Sequence, residues 1–492
     1  MIVNSAATSL ILAIDQGTTN TKAVLVDARG GVAAAGSAPV GVTSPRPGWV
    51  EQDARRIWNS VVAAVRNCLA ALGAPAPIAG VALSTQRESV VAWRASTGAP
   101  IGPVIGWQDR RTAAWCAETV DAAARHVVQR QTGLRVDAMF SAPKLRWLLD
   151  HLPAGVPVGD VRVGTVDAWL IWQLTGGAAH VCEAGNASRT LLYDIGTLDW
   201  SADLLSVFGV PAGALPTPLP SAAAFGHCAG AGPIPDGTPI VAVLADSHAA
   251  LYGHGGTAAG VAKATYGTGS SVMTPVPERP AGGSPVPTTL AWLIDDTPTY
   301  ALEGNILSSG ATLAWTAGLL TDGDVPALIR LAGTVTDSGG VTLIPAFAGL
   351  GAPHWDRDAQ ALISGMTTAT VPAHLARSAV DSVAHQICDI VDVIEETVPL
   401  RTLRADGGAT AAGLLMQTQA DLLDRTVEVA GVAEVSALGA ARLAWHTLGL
   451  GHEWKTSTGA VHRGALAGAD RVERRARWAR EIARARFSRP ES

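Results

Sequence analysis

The run Ile14-Asp15-Gln16-Gly17-Thr18-Thr19 constrains this chain more than any other stretch. It lies between two apolar runs, Leu10-Ile11-Leu12-Ala13 and Ala23-Val24-Leu25-Val26, and so reads as strand, tight turn, strand. A carboxylate at the end of the first strand, beside a turn of free backbone N–H groups, suits a metal–phosphate pair. The N–H groups hold phosphate oxygens and the carboxylate faces magnesium or its waters. Taken alone, an ordinary hairpin with an Asp at its corner would look the same. A second glycine–threonine turn, Tyr266-Gly267-Thr268-Gly269, lies in the other half of the chain. Two such turns in two halves point to a nucleotide held in a cleft between domains.

A chain of 492 residues is too long for one core, so two domains or more are expected. Apolar residues at 48% and charged residues at 16% place it among well-buried globular enzymes, far from disordered chains. A net charge of −6 gives no electrostatic reason to invoke nucleic acid or a membrane surface. Cys68, Cys116, Cys182, Cys228 and Cys388 are scattered without a CxxC pair, which signals neither a zinc site nor a disulfide framework and fits a reducing cytoplasm. The N-terminus lacks a basic segment before its apolar run and is not read as a signal peptide. No uninterrupted apolar run reaches the ~18 residues of a membrane span.

Strands are expected at 10–14, 22–27, 78–84, 240–245, 261–265, 299–302 and 403–405. Trp58, Val61, Val62, Val65, Leu69 and Leu72 form a helical stripe that packs on a core. Strands alternating with helices predict an α/β architecture with sheets covered on both faces. The small, glycine-rich stretch from Gly253 to Gly260 marks the expected boundary, as hinge or simple loop, giving domains 1–256 and 257–492. Val243-Leu244-Ala245-Asp246 and Leu403-Arg404-Ala405-Asp406 echo one another as apolar strands ending in Ala-Asp. The Arg-rich segment 471–486 reads as a terminal amphipathic helix docked on the second domain, with Val472, Ala476, Ala479 and Ala483 on one face and Trp478 and Ile482 adjoining.

Asp246 sits at a strand end, in Leu244-Ala245-Asp246-Ser247-His248, where a carboxylate faces a ligand crevice or caps the following helix. In phosphoryl transfer such a carboxylate accepts the proton of an attacking hydroxyl. Arg87-Glu88 follows the strand at 78–84 and pairs a donor with an acceptor suited to vicinal hydroxyls, although a surface pair would read alike. Gly267 and Gly269 let backbone approach phosphates, and Asp406-Gly407-Gly408-Ala409 offers backbone to a flat ligand such as a purine. His248, His254, His354, His385 and His446 show no metal-ligand spacing and are read as structural. No Walker A loop occurs, which excludes that route to ATP but not ATP itself.

Together these motifs resemble the FGGY carbohydrate kinases, and among them the glycerol kinases most closely, over nearly the whole chain from Leu10 to Leu448. One signature is Met139-Phe140-Ser141-Ala142-Pro143-Lys144-Leu145-Arg146-Trp147-Leu148-Leu149-Asp150-His151. The other runs from Ala361-Leu362-Ile363-Ser364-Gly365-Met366 to His374-Leu375-Ala376-Arg377-Ser378-Ala379-Val380-Asp381. The resemblance implies two actin-like (ribonuclease H-like) ATPase domains closing over ATP, Mg²⁺ and a small polyol or sugar, and a homodimer. It implies that Asp15 helps hold magnesium and that Thr18, Thr19 and Asn20 line the phosphates. Lys22 stands where glycerol kinases carry an Arg near the phosphates. Thr268, Gly310 and Gly408 match nucleotide-contacting positions, and Ala314 and Ala412 replace the family's Gln and Asn there. Asp246 matches the catalytic base, and Arg87 and Glu88 match the pair that binds substrate hydroxyls.

The substrate pocket departs from the glycerol kinase pattern. Met139 replaces a Tyr, Ser247 a Gln beside the base, and Ser271 a Phe, while the aromatic wall Trp107 is kept. Asp109 resembles the Asp of the Trp-x-Asp found in pentulose kinases, where it would add an acceptor. A roomier, more polar pocket favours a tetritol or a pentulose over glycerol; a true glycerol kinase with a poorer fit is the alternative. From another class, the rival is a nucleotide-gated actin-like binding protein without sugar chemistry. The expected partners are a small polyol or sugar, with no nucleic acid and no membrane.

Overall fold

The hairpin expected around Gly17 forms, with β1 (Leu10–Gln16) antiparallel to β2 (Asn20–Val26) and Asp15 opposite Lys22. The computed structural model describes residues 9–73, 77–257, 260–280, 284–450, 454 and 457–486. β3 (Val32–Pro39) extends the hairpin, and β4 (Ile78–Thr85) joins β1 in parallel on its other side. With β5 (Ala222–His227) and β6 (Pro239–Ala245) the sheet runs β5-β6-β4-β1-β2-β3. Helix α1 (Ala54–Leu72) packs on it through Ile57, Val61, Val65 and Cys68, one residue in three or four, as an amphipathic stripe requires.

The second half repeats the plan. β7 (Val261–Tyr266), β8 (Ser270–Val276), β9 (Thr288–Ile294), β10 (Thr297–Ile306), β11 (Thr402–Asp406), β12 (Thr426–Ala430) and β13 (Thr458–His462) form one sheet in the order β9-β10-β8-β7-β11-β12-β13. All seven expected strands are present within it or the first sheet. The two Ala-Asp echoes end β6 and β11, each paired in parallel with a central strand of its own sheet.

Helix α2 (Asp246–Gly253) follows β6, and α3 (Gly310–Leu320), α4 (Pro372–Glu395), α5 (Val435–Thr447) and α6 (Gly468–Ala485) follow in turn. Ala258 and Ala259 of the expected boundary lie outside the described residues. One apolar cluster joins the two sheets: Ile11, Ala13, Ala82 and Leu244 pack with Met273, Ala291 and Trp292, and with Ala440, Leu443 and Trp445 of α5.

The terminal helix α6 docks as expected, but by a different face. Trp478, Ile482 and Ala485 are buried, whereas Val472 is exposed. Its arginines supply the rest of the contact: Arg471 pairs with Asp424 and Arg475 with Asp389 and Asp392. Alanine contributes little apolar area, so the two large residues and the ion pairs decide the face. Of the histidines read as structural, His254 meets Asp406, His354 meets Asp389, and His385 stacks on Trp478. Among the described residues, no helix is long and apolar enough to cross a membrane.

Candidate active site

Three neighbouring parallel strands, β1, β4 and β6, end at one edge of the first sheet, with Asp15 in register with Ser84 and Ser84 with Leu244. Asp15, the segment Gln86–Glu88 and Asp246 thus emerge together, at the crevice beyond the strands' carboxyl ends where α/β folds place their ligands. Asp15 accepts a hydrogen bond from Ser84 Oγ at 2.8 Å. Burial pushes its carboxyl up to about 6, with the Ser84 bond opposing. In the turn beyond it, Thr19 and Asn20 are exposed and Thr18 is half-buried. Lys22 lies 3.8 Å from Glu434 across the domain interface.

Asp246 opens α2 as its first helical residue, so it is not the cap; Ala245 holds that position without a side-chain bond. Its Oδ1 accepts the Ser247 N–H at 2.6 Å and lies 3.4 Å from Nε of Arg87, and the side chain is 37% exposed to the cleft. Burial raises its pKa and the Arg87 charge opposes the rise. Glu88 has φ +61° at the centre of a three-residue turn closed by Ser89 N–H on the Arg87 carbonyl at 2.7 Å. Left-handed backbone at a bulky residue is strained and persists where surrounding contacts fix it. Here Arg189 Nε donates to Glu88 Oε1 at 2.7 Å.

Trp107 donates from Nε1 to Thr18 Oγ1 at 3.0 Å, linking its ring to the turn between β1 and β2. Met139 is half-buried, with its carbonyl accepting from Lys144 Nζ at 2.6 Å. Ser247 follows Asp246 and is partly exposed. Ser271 Oγ lies 3.2 Å from Lys263 Nζ, which also donates to Thr265 Oγ1 at 2.8 Å. Asp109 is a correction. It is fully buried, Oδ2 accepts from Val50 N–H at 2.6 Å and from Arg111, and Oδ1 takes two further bonds from Arg111. Both oxygens are used inside the protein, so Asp109 holds Arg111 rather than a substrate hydroxyl.

On the second domain the turn at Thr268 is locked to the start of α3. Ser309 and Ala311 N–H donate to the Thr268 carbonyl at 3.0 and 2.9 Å, and Gly310 N–H to Gly267 at 2.9 Å. Gly310 cannot carry a side chain, since a Cβ there would lie 2.5 Å from the Gly267 oxygen. Ala314, one turn along α3, is exposed on the same side. Gly408 faces open space and Ala412 ends the short 3₁₀ turn that follows. Beneath them Asp406 takes a 2.7 Å bond with His254. Burial would raise the Asp406 carboxyl, but His254 and Lys263 hold it below its ordinary value.

Several participants were given no role from the sequence. Glu303 of β10 and Arg189 complete a buried ionic cluster with Arg87 and Glu88. The advance sign of Glu303 was a charged residue inside an apolar strand, Leu302-Glu303-Gly304. Gln86 joins Gln16 and Gln52 at 3.0 and 3.1 Å, and Gln52 donates to the Thr18 carbonyl at 2.7 Å, tying down the turn between β1 and β2.

The donor set fits a nucleotide with magnesium. Among the described residues no group of three or more His, Cys, Asp and Glu is placed to hold a metal ion. A buried carboxylate beside a phosphate-type turn is instead what Mg²⁺ uses when phosphate and water oxygens complete its shell.

Two linked α/β domains with a nucleotide cleft between them define a sugar-kinase type of ATPase. The chain belongs to the FGGY family of carbohydrate kinases: the N-terminal domain model of that family matches residues 10–253 and its C-terminal domain model residues 262–448. It is a phosphotransferase with actin-like domains that uses ATP with Mg²⁺. It is similar to glycerol kinase of Alkalilimnicola ehrlichii, 43% identical over 488 residues, covering 96% of this chain and 98% of the relative. Apulose kinase of Pectobacterium atrosepticum is 45% identical over 449 residues, covering 90% of each. The crystal structure of Plasmodium falciparum glycerol kinase with ADP superposes with a TM-score of 0.89 at 29% identity, over 98% of this chain and 99% of that one.

Proposed function

We propose that the protein phosphorylates a terminal hydroxyl of a small polyol or ketose, with a four- or five-carbon compound preferred to glycerol. The observation that carries the reading is the convergence of Asp246, Arg87 and Glu88 at one sheet edge beside Asp15.

In this reading Asp246 accepts the proton of the attacking hydroxyl, a step worth roughly 10²–10⁴ in rate. Its partial burial beside Arg87 keeps a carboxylate basic yet near a counter-charge. Arg87 and Glu88 orient the acceptor, and Trp107 walls it. The turn Thr18–Asn20 and Lys22 hold phosphate oxygens from the first domain, and Thr268, Gly310, Ala314, Gly408 and Ala412 line the nucleotide from the second. Bound Mg²⁺, held through Asp15, supplies charge neutralisation on the phosphates. Closure of the domains excludes water that would otherwise take the phosphoryl group.

The size preference rests on Met139, Ser247 and Ser271, which widen the pocket and replace hydrogen-bonding and aromatic groups, and on the relative named apulose kinase. The second reading, a glycerol kinase, is favoured by the relatives that carry that name. ADP release from Mg-ATP with purified protein, across glycerol, erythritol, threitol, pentitols, xylulose and ribulose, tests the proposal. Acceptor-dependent release is expected. Release that is the same without any acceptor would favour a nucleotide-gated binding protein instead.

A further inference from the structure

Glu303 is a full charge in the middle of an apolar strand, with no exposure to solvent. Such a group is tolerated only when paired, and its partners come from the other domain. Arg87 grips it with both ends of its guanidinium fork, NH1 to Oε2 at 2.9 Å and NH2 to Oε1 at 2.7 Å. NH1 of Arg189 stands 3.0 Å from Oε2. The two arginines hold the Glu303 carboxyl well below its ordinary range against the effect of burial.

The consequence lies on the opposite edge of Arg87. With one N–H of each Nη given to Glu303, the Nε of Arg87 lies 3.4 Å from Asp246 Oδ1 and 3.9 Å from Glu88 Oε1. A free fork beside Asp246 would pair with it in the bidentate geometry that arginine and carboxylate favour. That pairing would occupy both oxygens of Asp246 and weaken it as a proton acceptor. Glu303 competes successfully because it is dry, whereas Asp246 is 37% exposed and its attraction for Arg87 is screened.

We infer that Glu303 is a positioning residue for the acceptor site: from the second domain it holds the fork of Arg87, so that Asp246 stays open to a substrate hydroxyl and Arg87 presents its Nε edge beside it. The inference rests on Asp246 as the base. It also makes acceptor binding depend on the seating of the two domains, since Arg87 and Glu303 belong to different ones.

The test compares Glu303→Gln and Glu303→Asp in the full-length protein, by kinetics with glycerol, erythritol and xylulose and by the crystal structure of each variant. In Glu303→Gln the acceptor kcat/KM falls on the order of 10²-fold through a higher acceptor KM and a lower kcat, while KM for Mg-ATP stays within about twofold. Glu303→Asp recovers part of the loss, and it remains the informative variant where Glu303→Gln does not fold. The Glu303→Gln crystal structure has Arg87 turned onto Asp246. A folded variant that loses thermal stability but keeps its acceptor KM overturns the inference, as does a structure with Arg87 unmoved. A wild-type protein inactive on every acceptor refutes the kinase reading, and the crystal structure still decides what Glu303 does to Arg87.

Discussion

Gly439 lies so close to Ala249 that a Cβ at 439 would stand 1.9 Å from the Ala249 carbonyl oxygen. A few residues away, a Cβ on Gly253 would lie 2.6 Å from the Val435 carbonyl. Helices α2 and α5 therefore cross backbone to backbone, and Ser436 Oγ reaches the Asp246 carbonyl at 3.2 Å. The helix that begins with Asp246 is seated by a helix of the second half of the chain.

Gly439→Ala forces these helices apart. Overpacking of this kind costs typically about 1–3 kcal/mol, so the midpoint of denaturant unfolding should fall accordingly. Turnover should fall as well, because Asp246 rides on the displaced helix. An unchanged midpoint would mean that the crossing is loose in solution.

Asp246→Asn keeps the shape of the side chain and removes its basicity. We expect kcat to drop by roughly 10²-fold or more with the circular dichroism spectrum and the KM for Mg-ATP preserved. Normal turnover in a folded variant would remove Asp246 as the base.

Gly310→Ala places a methyl group against the Gly267 carbonyl and disturbs the Thr268 turn. KM for Mg-ATP should rise while acceptor KM changes little, since the substitution lies on the nucleotide side. Equal changes in both would indicate a general loss of structure.

Lys144 is fully buried behind Met139, donating to the Met139 and Gly106 carbonyls at 2.6 and 3.3 Å. Burial lowers its pKa from 10.5 to about 7. Between those values the unfolded chain binds the extra proton, so this group makes stability rise with pH from about 7 to 10.5. Lys144→Met should flatten that rise relative to wild type, read as unfolding free energy against pH. An identical slope in both proteins would contradict the assignment.

Much of this site was legible in the sequence because its parts sit at strand ends. Asp15, Asp246 and the Thr268 turn each follow an apolar run, and the run alone places them at a sheet edge. What stayed hidden depends on pairing across distance. Nothing local to Glu303 names Arg87, 216 residues away, and nothing local to Asp109 tells that Arg111 will consume its oxygens. The face of α6 misled for a related reason: small alanines mark a helical period, but Trp478 and the arginine partners set which side is buried.

In the proposed function, Met139, Ser247 and Ser271 reset the acceptor. Each hydrogen bond to glycerol lost with Tyr or Gln is worth about 0.5–1.5 kcal/mol, so two such losses, about 1–3 kcal/mol together, shift preference by roughly 5- to 150-fold. The direct measurement is kcat/KM for glycerol against erythritol, threitol, xylulose and ribulose on the wild-type protein. A four- or five-carbon acceptor ahead of glycerol by about tenfold is the result predicted. Glycerol with the highest kcat/KM would contradict it and identify the three substitutions as tolerated changes in a glycerol kinase.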